Sequence, residues 1–409
     1  MLKKEILENQ RKIVDLNLIK RNFNLGEIED VFMLNKIFAL IGSRRAGKTF
    51  LTFQIIKELI EKKQIEIENI CYIDFSSILD GNITIDEIRE SYISLFPDKT
   101  PIFIFDEIQE LKNFPNQLIK LLNLGYKIII TGSNAHLLSK ELSTILRGKV
   151  YTKEIFPLDF KEYLTFKGIS KSKNDLIIDK SKYKNYFLDF LKWGGFPEIV
   201  LTQNIVVKEN ILKNYLDVMI YKDLQDRYSI KNDFALNFFI KRVLSAYGKE
   251  LNINKIYNDL KSQNIKISKD SLYNFYVYLD DIYLISNLTN YWAKIKGIKK
   301  IYLIDIAFSN FVGDLDFGRR FENFVYLELV KKYKEIFFLS KNYEIDFYIP
   351  SENKFIQVVY SLNFENLDRE VKYLSKQKGE KILIYFEKEK NLNISKDIKV
   401  INFLDFLTQ

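Results

Sequence analysis

The sequence predicts an α/β protein that begins with a doubly wound parallel sheet, because apolar runs typical of buried strands alternate with helical segments. The run Ile37–Ile41 is followed by a glycine-rich turn and then by helical apolar spacing over Phe50–Lys63. Three later runs have the same character: Asn69–Phe75, Ile102–Phe105 and Lys127–Thr131. In such a sheet a ligand binds at the carboxyl ends of the strands.

The turn after the first strand reads Gly42-Ser43-Arg44-Arg45-Ala46-Gly47-Lys48-Thr49 and matches the P-loop pattern G-x-x-x-x-G-K-[ST] at every fixed position. A strand, a glycine turn and a helix N-terminus aim backbone N–H groups and the helix dipole at one point, which attracts phosphate. We expect Lys48 to reach the β- and γ-phosphates and the Thr49 hydroxyl to hold Mg²⁺. The predicted cofactors are therefore ATP and Mg²⁺, bound by these eight residues.

A second signal follows about 60 residues later, where Ile102–Phe105 ends in Asp106 and Glu107. A short apolar strand that ends in two acids is typical of a Walker B motif. We expect Asp106 to hold Mg²⁺ together with Thr49, and Glu107 to polarise the attacking water. Taken alone, the pattern also fits a strand followed by an acidic helix start. Its position downstream of the P-loop favours the catalytic interpretation.

The next strand leads into Thr131-Gly132-Ser133-Asn134. P-loop ATPases place a γ-phosphate sensor at this strand tip, so Asn134 is the predicted sensor, with Ser133 as an alternative. An ordinary polar turn is the other interpretation. Arg147 is the predicted arginine that neutralises transition-state charge, and the P-loop arginines Arg44 and Arg45 are alternatives.

Composition limits the remaining possibilities. The 409 residues suffice for two to four domains, and 47% hydrophobic and 28% charged residues are typical of a globular chain. Cys71 and His136 are the only cysteine and histidine, which excludes a disulfide framework, a Cys/His zinc site and a multi-histidine nuclease. No apolar run approaches the ~18 residues of a membrane span, and the charged start is unlike a signal peptide. A cytoplasmic protein with no membrane partner is expected.

Residues 234–315 have the order of a winged helix-turn-helix. Three helices are predicted over Phe238–Tyr247, Asn254–Gln263 and Lys269–Asp281, and the last has Ser268 as its N-cap. Two paired strands follow, at Tyr283–Leu288 and Lys300–Ile304.

The same region is basic, with eleven Lys/Arg and five Asp/Glu over residues 241–300, which is most of the chain's net charge of +8. A local basic surface suits a phosphate backbone, so DNA is the predicted partner. The residues predicted to face DNA are Lys266, Lys269, Asn274, Lys294, Lys296, Lys299 and Lys300. A winged helix that contacts only protein, with a solvated basic face, is the alternative.

The motifs in this order resemble a family of AAA-type P-loop ATPases of archaea and bacteria whose C-terminal region is a domain of unknown function. The resemblance is carried by Leu40–Thr49, by the DEIQ stretch in Phe105–Gln109, by Thr131–Ala135, by Phe156–Leu164 and by the GGFPE turn Gly194–Glu198. The family usually has an arginine directly after the glycine of a Leu-x-Gly-Arg stretch. Lys149 stands there in this chain, and Arg147 lies two residues earlier.

The segment after residue 315 resembles a restriction-endonuclease-like core, with Glu322, Asp346 and Gln357 at the places of its metal-binding acids. Gln357 is neutral, and Val359 replaces the lysine of that pattern. We therefore expect a degenerate, inactive binding module, although Lys354 or Lys372 could supply a relocated lysine.

The predicted domains are an ATPase core over 1–165, a helical lid or linker over 166–233, the winged helix over 234–315 and the nuclease-like domain over 316–409. The expected function is Mg²⁺-dependent ATP hydrolysis that drives a conformational switch coupled to DNA binding. The alternatives are a DNA-binding regulator that binds nucleotide with little turnover, and an ATP-gated nuclease. A homo-oligomer or a protein partner stays open, because an arginine supplied in trans would require a second subunit.

Overall fold

The computed structural model describes residues 1–77, 83–133, 146–169, 180–293, 299–313, 316–341 and 343–408. The chain divides into two compact units. The first comprises residues 1–158 and 281–283, and the second comprises residues 159–280 and 284–409.

The first unit is built on a five-stranded parallel sheet with the strand order β2-β3-β4-β1-β5. Its strands are β1 (Ile37–Ile41), β2 (Ile70–Asp74), β3 (Ile102–Asp106), β4 (Lys127–Gly132) and β5 (Val150–Glu154). Its helices are α1 (Leu2–Asp15), α2 (Gly26–Met33), α3 (Lys48–Lys63), α4 (Ile85–Leu95) and α5 (Phe114–Asn123). The predicted parallel α/β sheet is confirmed, with each predicted strand in place.

Alternate residues of one strand enter two different apolar cores, one on each face of this sheet. In β1, Ile37 and Ala39 belong to one core, whereas Phe38 and Leu40 belong to the other. Burial on both faces explains why the strands are continuous apolar runs rather than alternating ones. The order also puts β4 between the P-loop strand β1 and the Walker B strand β3, so the carboxyl ends of all three meet at one edge.

The second unit starts with helices. They are α6 (Phe160–Phe166), α7 (Lys180–Trp193), α8 (Pro197–Leu201), α9 (Ile205–Val218) and a π-helical stretch, Met219–Asp226. Gly194 connects α7 to α8 at φ +71°, and a Cβ there would lie 1.7 Å from Oδ1 of Asp305. Oδ2 of that buried carboxylate accepts the Gly195 N–H at 2.8 Å. The GGFPE turn therefore requires glycine because a carboxylate packs against its backbone.

Three helices and then two strands follow as predicted, and a short strand that was not predicted lies between the first two helices. They are α10 (Asp233–Ser245), β6 (Lys249–Glu250), α11 (Ile253–Ser262), α12 (Lys269–Asp281), β7 (Ile285–Asn290) and β8 (Lys299–Leu303). Strand β8 pairs antiparallel with both β6 and β7. Ser268 accepts the Ser271 N–H at 3.0 Å and so caps the start of α12, as predicted.

The remaining elements are α13 (Phe317–Lys332), β9 (Phe337–Ser340), β10 (Glu344–Ile349), β11 (Lys354–Leu362), α14 (Leu367–Lys372), β12 (Glu380–Lys388), β13 (Ile398–Asn402) and α15 (Phe403–Thr408). One eight-stranded sheet with the order β13-β12-β11-β10-β9-β7-β8-β6 contains β6 to β13. Strand β7 joins β9 through the parallel pairing of Thr289 with Phe337. The predicted domain boundary at 315/316 therefore falls between strands that belong to one continuous sheet. No local sequence pattern predicts the pairing of β7 with β9.

Candidate nucleotide site

The P-loop backbone has two glycines that no other residue could replace without strain. Gly42 has φ +151°, and a Cβ there would lie 2.1 Å from the Ile155 carbonyl oxygen. Gly47 has φ +92° and directly precedes α3, whose first turn has no side-chain cap. A helix N-terminus without a side-chain cap leaves its N–H groups and dipole available to an anion. The loop therefore fits a phosphate group.

Lys48 is the first residue of α3 and is buried. Its Nζ donates to the Gly42 and Ser43 carbonyl oxygens, each at 3.0 Å, and lies 3.9 Å from Oε1 of Glu107. The lysine thus lies between the loop that would hold phosphate and the acid that would act on water.

The Asp106 carboxylate accepts hydrogen bonds from residues of α3, β2 and β4. Its Oδ2 accepts hydrogen bonds from Thr49 Oγ1 at 2.7 Å and from the Tyr72 hydroxyl at 2.8 Å, and its Oδ1 accepts one from Thr131 Oγ1. Burial raises the pKa of Asp106, the Glu107 charge adds to this, and the hydroxyl donors oppose it. The structure brings Thr49 and Asp106 together, which is the geometry a shared Mg²⁺ would require. Oxygen ligands of this kind suit that cation.

Glu107 follows β3 with a left-handed backbone, φ +51°. Such a conformation costs energy for a residue other than glycine and is often found at functional sites. Its N–H donates to Thr131 Oγ1 at 3.0 Å, and Gln109 Nε2 donates to its carboxylate. These bonds fix both the backbone and the side chain of Glu107.

The charge state of Glu107 suits a base. Burial raises its pKa, but the Lys48 charge, the Gln109 hydrogen bond and the Arg44 charge outweigh burial and hold the pKa below its ordinary value. The carboxylate is therefore ionised at neutral pH and can accept a proton.

The predicted arginines and sensor have different surroundings. Arg44 Nη2 lies 3.9 Å from Glu110 Oε1, whereas Arg45 and Arg147 are exposed. Within the described ranges Arg147 makes no hydrogen bond or ion pair with the P-loop or with Asp106 and Glu107. Asn134 lies outside the described residues. Its alternative, Ser133, is buried and accepts a hydrogen bond from Gln109 at 3.3 Å.

Three residues of this site were not predicted from the sequence. Tyr72 and Thr131 both donate to Asp106, and Arg21 donates from Nη1 to the Ala46 carbonyl of the P-loop at 2.8 Å and from Nη2 to the Phe156 carbonyl at 3.1 Å. Tyr72 resembles any other apolar residue of β2. Thr131 is one of several polar residues in a turn-like stretch, and Arg21 lies outside every motif.

Of the residues predicted to face DNA, Lys266, Lys269 and Asn274 are exposed. Lys299 is half-buried, with Nζ 6.0 Å from the ring centre of Tyr276. Lys294 and Lys296 lie outside the described residues.

The prediction that Lys300 faces DNA is wrong. Its side chain is buried, and its Nζ lies 2.7 Å from Glu322, 2.9 Å from Glu344 and 3.4 Å from Asp346. Lys300 is buried because its strand, β8, lies inside the sheet between β6 and β7. Its side chain points to carboxylates of α13 and β10.

The predicted nuclease-like residues are only partly brought together. Glu322 and Asp346 share Lys300, whereas Gln357 donates to Glu370 Oε2 at 3.1 Å. Lys354, one candidate for a relocated lysine, pairs with Glu352 and Glu380. In the described part of the chain no group of three or more His, Cys, Asp or Glu is arranged to hold a metal ion.

Comparison with known proteins matches residues 34–164 to an AAA domain and residues 179–317 to a domain of unknown function. An uncharacterized protein of Methanocaldococcus jannaschii is 39% identical over 390 residues, which cover 92% of this chain and 86% of that protein. The chain belongs to a P-loop ATPase family that includes this archaeal protein. An uncharacterized protein of Haemophilus influenzae is 27% identical over 391 residues, 91% of this chain and 94% of that protein. The predicted P-loop ATPase family is thereby confirmed, and the AAA domain spans every Walker residue described above.

Solved structures are more distant. The Aeropyrum pernix ORC1 protein in complex with DNA is 11% identical, with a TM-score of 0.33 over 75% of this chain and 97% of that chain. The Saccharomyces cerevisiae Hsp104–ADP complex is 13% identical, with a TM-score of 0.35 over 69% of this chain and 41% of that chain. Similarity this low supports no inference about the present protein. None of the described helices has the length and apolar character that a membrane span requires.

Proposed function

We propose that this protein binds ATP with Mg²⁺, hydrolyses it and uses the cycle to drive a conformational switch coupled to DNA binding. The observation that carries the proposal is the 2.7 Å hydrogen bond from Thr49 to Asp106. It joins the P-loop helix to the strand that ends in the two acids, as a shared Mg²⁺ would require. The AAA domain match over residues 34–164 supports the same conclusion.

Each residue then has a separate task. The P-loop N–H groups and Lys48 bind the β- and γ-phosphates, and Thr49 and Asp106 hold Mg²⁺. Mg²⁺ held by Thr49 and Asp106 would supply positive charge against the phosphate charge that develops during transfer. Glu107 orients the attacking water and takes its proton, for which its ionised state is the correct one.

The conformational switch starts at Lys48. In the present arrangement its ammonium group is held by two P-loop carbonyls and by Glu107. A bound γ-phosphate would draw Lys48 away from these partners. After hydrolysis and phosphate release, Lys48 would return to them. Exchange of partners at a phosphate is one way that nucleotide-dependent proteins change conformation.

DNA coupling is supported by the exposed lysines among residues 241–293 and by the helix and strand order from α10 to β8. Lys266, Lys269 and Asn274 are exposed at or near the start of α12, the helix that would read DNA in a winged helix-turn-helix. Phosphate contacts from such lysines give binding that weakens with salt.

The test is the steady-state rate of phosphate release with Mg²⁺ and ATP, measured without DNA, with duplex DNA and with single-stranded DNA. We expect a rate that rises several-fold with DNA and is lost in Lys48→Ala. Lys63→Ala, an exposed lysine of the same helix, is the matched control and should keep the wild-type rate. A rate indifferent to DNA would contradict the coupling and leave the ATPase intact, whereas no release above the Lys48→Ala level would contradict hydrolysis.

The alternatives predict other outcomes. A DNA-binding regulator that only binds nucleotide would bind ATP without phosphate release. An ATP-gated nuclease would nick DNA in Mg²⁺, but Lys300 lies among the acids that such chemistry would need.

A further inference from the structure

A cavity of about 270 Å³ lies within the second unit, and all of its lining residues belong to that unit. Its walls come from the end of α7, from α9, from the turn between β8 and α13, and from α13 itself. Three apolar side chains, Trp193, Leu212 and Phe311, form part of the lining, and the cations Lys192 and Arg320 belong to it as well. We call this space the Trp193 cavity.

Arg320 is fully buried, and its guanidinium group lacks an acid partner. Nη1 donates to the Leu191 and Lys192 carbonyl oxygens at 3.1 and 3.3 Å, and Nη2 donates to Asn310 Oδ1 at 2.8 Å. All three acceptors are neutral, and Arg320 forms no ion pair within the part of the chain that the structure describes. Its buried Nε does not meet the geometry of a hydrogen bond with any of those residues. A buried charge is costly unless an opposite charge compensates it.

The pKa of Arg320 reflects this lack of compensation. Burial lowers the pKa, and Tyr247 and Asp316 oppose only part of the effect. The Asp316 carboxylate is already bound by Arg319, whose Nε donates to it at 2.8 Å. The Tyr247 hydroxyl is a neutral group, and it too lacks a hydrogen bond of good geometry among the described residues. No described carboxylate therefore neutralises Arg320 at short range.

Two lysines add positive charge beside the Trp193 ring. Lys192 Nζ lies 5.0 Å and Lys208 Nζ lies 5.2 Å from the ring centre. Neither lysine forms an ion pair with a described residue. Lys208 is buried, which lowers its pKa; the Asp189 charge opposes this, and the charges of Lys167 and Lys192 lower the pKa further. Neighbouring cations that repel one another favour a bound anion.

The lining also limits the kind of anion. Its described residues include two cations and one acid, Glu209, which is exposed to solvent. One positive charge is left over, which a singly charged carboxylate balances and a phosphate dianion exceeds. Because apolar side chains lie beside the cations, the ligand should have an apolar part. The volume is just below the range of about 300–1,000 Å³ that is usual for ligand pockets, which favours a small molecule over one as large as a nucleotide.

We propose that the Trp193 cavity binds a small organic carboxylate that carries an apolar group. Arg320 and Lys192 bind the carboxylate through charge-assisted hydrogen bonds. Trp193, Leu212 and Phe311 contact the apolar group, as is usual in pockets where a few polar groups orient the ligand. The proposal does not depend on the ATPase function.

The test uses the full-length chain and 4-nitrobenzoate, a small aromatic carboxylate that quenches tryptophan fluorescence. The chain has only two tryptophans, so Trp292→Phe leaves Trp193 as the reporter in the cavity. Trp292 is 57% exposed, and its replacement should leave the fold intact. After correction for absorption, we expect saturable quenching by 4-nitrobenzoate. The neutral 4-nitrobenzyl alcohol, which has the same ring without the charge, should bind roughly tenfold more weakly or less.

Variants in the Trp292→Phe background locate the site. Lys192→Met keeps the length of the side chain and removes its charge, so it should weaken 4-nitrobenzoate binding several-fold and leave binding of the alcohol unchanged. Lys184→Met is the matched control, because Lys184 lies on the same helix, pairs with Glu387 and should not affect binding. Arg320→Gln should abolish binding, with circular dichroism to show that the variant is folded. If it does not fold, Lys192→Met decides alone.

Four results would overturn the proposal. The first is the absence of saturable quenching by 4-nitrobenzoate. The second is equal binding of 4-nitrobenzyl alcohol, because the cavity would then be only an apolar site. The third is a Lys192→Met protein with unchanged affinity for 4-nitrobenzoate. The last is displacement of 4-nitrobenzoate by an equal concentration of inorganic phosphate, because the site would then select phosphate and not an organic carboxylate.

Discussion

Lys48 Nζ lies 3.9 Å from Glu107 Oε1, so the lysine that would bind phosphate and the acid that would activate water form one ion pair. Both side chains are largely buried, and Lys48 also donates to two P-loop carbonyls. A γ-phosphate must compete with Glu107 for Lys48. Binding of phosphate at Lys48 would thereby be linked to the position of the Glu107 carboxylate, the proposed general base.

The first prediction concerns Thr49. Its hydroxyl donates to Asp106, and Thr49→Ala removes both this bond and the proposed hydroxyl ligand for Mg²⁺. Loss of the proposed contact to Mg²⁺ is expected to lower the Mg²⁺-dependent gain in ATP affinity by roughly tenfold or more, which is about 1.4 kcal/mol or more of binding free energy. Titration of a fluorescent ATP analogue with and without Mg²⁺ measures this gain.

Thr52→Ala is the control, because Thr52 lies in the same helix and donates to the Lys48 carbonyl rather than to an acid. It should keep the full Mg²⁺ effect. Equal Mg²⁺ effects in Thr49→Ala and in the wild type would exclude Thr49 as a ligand.

The second prediction concerns Tyr72, whose hydroxyl donates to the same Asp106 oxygen as Thr49. Tyr72→Phe leaves the ring in place and removes the donor that orients the carboxylate. We expect the Mg²⁺ concentration for half-maximal hydrolysis to rise several-fold, with a smaller change in the rate at saturating Mg²⁺. The Mg²⁺ dependence of steady-state phosphate release is the measurement.

Tyr92→Phe is the matched control. Tyr92 is another buried tyrosine of the first unit, and its hydroxyl donates to the Glu68 carbonyl. It should affect stability and leave the Mg²⁺ requirement unchanged. A Tyr72→Phe protein with the wild-type Mg²⁺ dependence would show that the bond to Asp106 has no part in metal binding.

The third prediction concerns DNA. Lys266 and Lys269 are exposed, and each phosphate contact that a lysine makes contributes about 0.9 to the slope of log affinity against log salt on duplex DNA. The double change of both residues to Glu should weaken binding at low salt and reduce that slope by about 2. Fluorescence anisotropy with labelled duplex at several salt concentrations measures both quantities.

Lys222→Glu makes the same kind of charge change at an exposed residue outside the predicted DNA surface. It should leave the slope unaltered. If it weakens binding as much as the double variant does, the effect is one of net charge, and the assigned surface is wrong.

The sequence predicted the first unit well because its signals are local. Strand β1, the P-loop and the start of α3 are contiguous, and β3 runs directly into Asp106 and Glu107. The strand and helix that position each motif can therefore be predicted from the residues next to it. The roles of the individual Walker residues remain predictions.

The sequence failed where contacts join distant segments. The basic composition of residues 241–300 predicts that Lys300 faces DNA, but its partners Glu344 and Asp346 lie 44 and 46 residues away. The pairing of β7 with β9 across the α13 segment is likewise invisible to local patterns. The role of Tyr72 could not be predicted from the sequence, because its buried ring fits an apolar strand. Only the structure shows that its hydroxyl donates a hydrogen bond to Asp106.

The proposed role of Glu107 is tested by comparing phosphate release and ATP affinity in the wild type and in Glu107→Gln. The amide keeps the shape of the side chain, loses the proton acceptor and removes a competitor for Lys48. We expect turnover to fall by about 10²–10⁴-fold, the usual contribution of a general base, with ATP bound at least as tightly as by the wild type. Glu90→Gln, a change at a largely exposed acid of the same unit, should alter neither quantity. Turnover in Glu107→Gln equal to that of the wild type would contradict the proposed mechanism.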